Sequence, residues 1–124
     1  MARASPSGYE RLEVYRRAMD LVPQVHTLIR KLPSSERYAL TSQMRRAAIS
    51  IPSNIAEGAA RTSDKEFLHF LSVGRGSLSE LETQVLISRN LGYLKDVAEI
   101  SSSIDELFGL IGGLIKSIQR RSTK

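Results

Sequence analysis

Apolar side chains recur at steps of three and four residues through four separate stretches of this 124-residue chain, and no window alternates apolar and polar residues long enough to make a strand. Leu12, Tyr15, Met19, Val22, Val25, Ile29 and Leu32 share one face of a helix predicted over 9–31, which Leu32-Pro33 ends. Pro23 lies inside it and cannot donate to the Met19 carbonyl, so a kink or a division of the helix is expected there. Leu40, Met44, Ala47, Ile51 and Ile55 define a second helix over 35–59, with Ser34 or Ser35 as its N-cap and a bend at Pro52. Ser63-Asp64-Lys65-Glu66 fits a capping box. Phe67, Phe70, Leu71, Leu78, Leu81 and Val85 then carry a third helix over 64–91 to Gly92, a left-handed terminator. Asp96 is placed to cap a fourth helix over 96–119, with Val97, Ile100, Ile104, Leu107, Ile111, Leu114, Ile115 and Ile118 on its apolar side. Short connections between helices of about 33–42 Å predict an all-α, antiparallel up-down four-helix bundle. Residues 1–8 are expected to form a flexible tail, 9–119 the bundle and 120–124 a basic tail.

Composition narrows the chemistry. The length suits one domain. The chain has no cysteine, which removes disulfide scaffolds, thiolate metal sites and cysteine nucleophiles, and suits a reducing cytoplasm. No apolar run follows Arg3, and no segment approaches about 18 uninterrupted apolar residues, so a cytoplasmic protein with no membrane partner is expected. The net charge is +5, unevenly spread. Residues 1–61 carry ten Lys/Arg against five Asp/Glu, residues 62–119 five against eight, and residues 120–124 three further basic residues. That asymmetry reads either as a footprint for nucleic acid or as two helical hairpins that attract each other, within a bundle or between subunits.

Catalytic constellations are poor. Glu66 and His69 have the Glu-x-x-His spacing of ferritin-like metal bundles, but such a site needs a second pair, and the other histidine, His26, lacks one. No histidine is placed to activate a serine, and Gly74-Arg75-Gly76-Ser77 lacks the spacing of a phosphate loop and lies within a helical pattern. We therefore expect no enzyme, no metal and no cofactor. Polar stripes remain: Arg46, Ser50, Asn54, Glu57 and Arg61 on the second helix, and Ser72, Arg75, Ser79 and Glu82 on the third. They read as a structural or interface network containing Arg75–Glu57 or Arg46–Glu82 pairs, as solvated faces, or as a ligand site. Arg16, Arg17, Arg45 and Arg46 are the candidate contacts to RNA or DNA phosphates; with seven Tyr and Phe residues, mostly at core spacing, no stacking platform is visible. On the fourth helix, Phe108, Leu110, Ile111, Leu114 and Ile115 beside Gly109, Gly112 and Gly113 suggest apolar surface beyond one face, and hence self-association.

Three stretches go beyond periodicity: Leu12-Glu13-Val14-Tyr15 with Ala18-Met19-Asp20-Leu21; the run from Leu40-Thr41-Ser42-Gln43-Met44-Arg45-Arg46-Ala47-Ala48 through Ile51-Pro52-Ser53-Asn54-Ile55-Ala56-Glu57-Gly58; and Glu66-Phe67-Leu68 with Gly74-Arg75-Gly76-Ser77-Leu78-Ser79-Glu80-Leu81-Glu82. In these the chain resembles the bacterial four-helix-bundle proteins of the 23S rRNA intervening-sequence family, over roughly residues 11–118. The resemblance implies an up-down bundle that assembles into a ring-like homopentamer, and a largely uncharacterised function. It also implies kinship with accessory proteins of diversity-generating retroelements, which associate with a reverse transcriptase and bind nucleic acid through a basic surface. It supplies no catalytic residues. Pro23 and His26 depart from the family pattern, in which an uninterrupted helix leads to an aromatic residue. Two roles follow as expectations: an oligomeric bundle that meets RNA or DNA backbone, or a scaffold for a partner protein with no nucleic-acid role.

Overall fold

The computed structural model describes residues 6–122, and within them the chain forms four helices and one short 3-10 turn, with no strand. The helices are α1 (Pro6–Ile29), α2 (Leu40–Ala59), α3 (Asp64–Asn90) and α4 (Ala98–Ser122). Each packs on its two neighbours around a ring, α1 on α2, α2 on α3, α3 on α4 and α4 on α1, and α2 with α3 share the most extensive contact. Met44 of α2 meets Ser88 of α3 while Gly58 lies against Phe67 and Phe70, so these helices run antiparallel. Asp64 at the start of α3 likewise meets Arg121 at the end of α4.

The core is a single cluster from all four helices, including Leu21 and Val25, Met44 and Ile51, Leu71 and Leu81, and Ile104, Ile111 and Leu114. The α1 face differs from the expected one. Val14, Ala18, Leu21, Val25 and Ile29 are buried, whereas Leu12, Tyr15 and Met19 are exposed. Two apolar series wind along this helix about 100° apart, and the one that carries Val14 and Ala18 is the one turned into the core.

The ends of the helices show where capping decided the boundaries. The Ser63 hydroxyl accepts the Glu66 amide at 3.1 Å, so the expected N-cap forms, while the return bond from the Glu66 side chain does not. At the other end Gly92 has φ 84°, and the amides of Tyr93 and Gly92 bond the carbonyls of Ser88 and Arg89, each at 2.9 Å, which is a Schellman closure. Asp96 accepts the Ala98 amide, but α4 begins two residues later than expected. Helix α2 starts at Leu40 and not at residue 35. Ser34–Glu36 form the 3-10 turn after extended Pro33, and Glu36 is held by the Tyr93 hydroxyl at 2.9 Å and the Leu40 amide at 3.4 Å. That carboxylate raises the Tyr93 hydroxyl above its ordinary pKa through their hydrogen bond. Neither Pro23 nor Pro52 divides its helix, and Pro52 is itself buried. The helical segment extends past the expected bundle limits at both ends, from Pro6 to Ser122; the rest of the two expected tails lies outside the described residues.

On α4 the expected surplus of apolar surface is absorbed by the bundle. Ile111, Leu114 and Ile115 are buried, Phe108 and Leu110 pack against the core, and a Cβ on Gly109, Gly112 or Gly113 would meet nothing within 4 Å. These glycines serve no close approach inside the chain. Gly74 does, lying 3.6 Å by its virtual Cβ from the Ile51 carbonyl where α2 and α3 cross.

Asp64 ties the start of α3 to the end of α4 at one end of the bundle. Arg121 donates to its carboxylate at 2.8 Å and the Ser122 hydroxyl does so at 2.8 Å, and these bonds hold Asp64 below the usual carboxylate range. A carboxyl with a lowered folded-state pKa contributes stability above its unfolded value of about 3.9, and that contribution is lost as pH falls through the folded value. Asp64→Asn is therefore expected to flatten the acid limb of a stability–pH curve below about pH 4, by under about 1 kcal/mol for so accessible a pair. An acid limb in Asp64→Asn as steep as in the wild type counts against the assignment.

Candidate interaction faces

The four candidate arginines do not converge. Arg16 is exposed, 3.9 Å from Glu13 one turn earlier on α1. Arg17 bonds both Glu13, at 3.1 Å, and Glu106 of α4, so its charge is matched across the bundle. Arg45 and Arg46 are adjacent on α2 and therefore about 100° apart. Arg45 points to the α1 side, beside a cavity of about 260 Å³ lined by Val22, His26 and Ile49. Arg46 points to the α3 side, beside a polar cleft of about 340 Å³ with Ser50, Ser77 and Glu80.

Of the polar stripe on α2, Ser50 and Asn54 come together with Ser77 of α3. The Ser50 and Ser77 hydroxyls lie 2.8 Å apart, and Asn54 donates its amide to the Ser50 hydroxyl at 2.9 Å and to the Ser50 carbonyl at 2.8 Å. This chain of bonds satisfies polar groups half-buried or buried where α2 crosses α3. The charged members stand outside it. Glu57 pairs at 2.5 Å with Arg61, just past the end of α2, and neither the Arg75–Glu57 nor the Arg46–Glu82 pair forms among the described residues. Arg75 and Ser79 are exposed and Glu82 is half-buried. Side-chain reach across two helices depends on their rotation, which spacing along one helix does not specify.

No group of three or more His, Asp or Glu side chains is gathered to hold a metal ion among the described residues, and His69 instead meets Phe70 edge-on at 5.3 Å. No helix among these residues is long and apolar enough to cross a membrane.

One face escaped the sequence reading. Leu12 (55% exposed) and Tyr15 on α1 share a cavity with Ala56 on α2, Ile49 (48%) on α2 shares another with Val22 and His26, and exposed Met19 (46%) falls between the two along α1. The first, completed by Ala59 and Ala60, is an open cavity of about 440 Å³; the second is the cavity beside Arg45. The result is an apolar groove running along the α1–α2 hairpin. The signal was in the sequence as the second apolar series on α1, which at helical spacing is indistinguishable from a core face until the buried series is known.

A search of curated proteins finds no match to the chain. A protein-family model described as 23S rRNA-intervening sequence protein matches residues 10–113, which spans all of α2 and α3 and most of α1 and α4, the four-helix body just described. With that match over most of its length, the chain belongs to the 23S rRNA-intervening sequence protein family.

Proposed function

We propose that this protein acts by association and not by catalysis, as a homo-oligomeric four-helix bundle that serves as a protein-interaction scaffold, with the ring-like homopentamer of the family resemblance as its assembly. The observation that carries this reading is the exposed apolar groove of α1 and α2, surface of a kind that a solitary bundle has no use for. Light scattering at micromolar protein is expected to give a mass several times the 13.8 kDa chain. A single-chain mass removes the reading.

A second reading keeps nucleic acid as the ligand, favoured by the net charge of +5 and by Arg16, Arg45 and Arg46, which are exposed. Against it stand the pairing of Arg17 and the separation of Arg45 from Arg46 on two faces. Fluorescence anisotropy with labelled 23S rRNA fragments and an unrelated duplex separates the two. The scaffold predicts no binding at about 100 mM salt. Binding to RNA or DNA backbone predicts a steep salt dependence that weakens in Arg45→Ala plus Arg46→Ala, each lost phosphate contact reducing the slope by about one.

A further inference from the structure

We propose that the groove between α1 and α2 receives the outer stripe of α3 from a second copy of this chain, an assignment that rests on the self-association reading above. Glu66, Val73, Glu80 and Ile87 follow one another at seven-residue intervals along α3, and all four are exposed. Residues so spaced stay near one line of a helix, so the stripe presents two apolar knobs separated by a carboxylate.

The groove offers matching holes. Its two cavities are bounded along α1 by Leu12 and by His26, fourteen residues apart, the same interval that separates Val73 from Ile87. At a rise of about 1.5 Å per residue both intervals are about 21 Å, so knobs and holes are in step. Charge agrees with shape. The groove lies on the basic half of the chain and has Arg45 at one cavity; the stripe lies on the acidic half and carries Glu66 and Glu80. None of these three side chains has an ion-pair partner among the described residues, which leaves each available to a neighbour.

Groove and stripe belong to different helices, so the contact is head-to-tail: each copy offers its stripe forward and its groove backward, and repetition closes a ring when the rotation allows. A two-fold dimer made by groove meeting groove would leave the α3 stripe without a role.

The test uses two variants altered only at exposed positions, each first checked for cooperative unfolding. Ala56→Arg obstructs the groove, and Val73→Lys with Ile87→Lys disables the stripe. By light scattering each alone is expected at the 13.8 kDa of one chain, and their equimolar mixture at twice that mass, because the intact stripe of the first fits the intact groove of the second. A stripe variant that assembles as the wild type does, while Ala56→Arg does not, overturns the assignment in favour of groove-to-groove pairing. Two variants that both assemble as the wild type overturn it outright. A wild type that is itself a single chain overturns the self-association reading as well, so the two failures are distinct.

Discussion

Gly58→Ala is expected to lower the stability of the bundle by about 1–3 kcal/mol, the range of overpacking in a tight interior. A Cβ there would sit 2.7 Å from the Phe70 Cβ, 2.9 Å from the Phe67 Cδ1 and 3.3 Å from the Phe67 carbonyl oxygen. The first and last of these atoms are fixed to the α3 backbone and cannot swing aside, so the end of α2 would have to move off α3. The intrinsic preference of helices for alanine, about 1 kcal/mol over glycine, works in the opposite direction and is the reason the comparison is informative. At Gly112 and Gly113 the same virtual atom meets nothing within 4 Å, so there alanine should raise stability by about 0.5–1 kcal/mol. Urea unfolding followed by circular dichroism reads all three. Equal behaviour of Gly58→Ala and Gly112→Ala would contradict the packing described at the α2–α3 turn.

Leu21→Ala is expected to remove about 2–5 kcal/mol, whereas Leu12→Ala or Met19→Ala should change the stability of an isolated chain by under about 1 kcal/mol. Leu21 is 1% exposed and lies in the core; the other two are exposed on α1, Leu12 at one cavity of the groove and Met19 between the two cavities along the helix. Concentration separates the roles further. The loss in Leu21→Ala should be the same at every protein concentration, but a groove substitution should lower the unfolding midpoint more where the wild type is assembled, since assembly adds stability by mass action. If Met19→Ala is as destabilising as Leu21→Ala in dilute protein, the helix is turned the other way.

These α1 residues also mark the limit of what could be read beforehand. Four helices, their order and the terminator at Gly92 were legible because each rests on local chemistry: a serine hydroxyl for an amide, a left-handed residue without a Cβ, an apolar period of 3.6. The choice between the two apolar series of α1 was not, because both obey that period and the decision is made by the packing of α1 on α2 and α4, which buries Val14 and Ala18. The start of α2 was misplaced for a similar reason. Ser34 and Ser35 have the composition of a cap, yet Glu36 is engaged by Tyr93 from 57 residues away, a tertiary contact that local preference does not contain. Ser50 and Asn54 were legible as network members, being small polar residues on a face that also carries core positions. Glu57 was not, since an arginine four residues further along the chain, just past the end of α2, competes with any partner on α3.

The ring of contacts among the helices also orders the chain in time. The pairs α1–α2, α2–α3 and α3–α4 each join sequence neighbours through short connections, so their closure involves little loop entropy. The seam between α1 and α4 joins the two helices farthest apart in the sequence, as Arg17 and Glu106 do across 89 positions. With the most extensive contact lying at the centre of the sequence, between α2 and α3, the chain has a natural nucleus there and a late-closing edge along α1 and α4. Partial opening of the folded protein should follow the reverse order, starting at that edge.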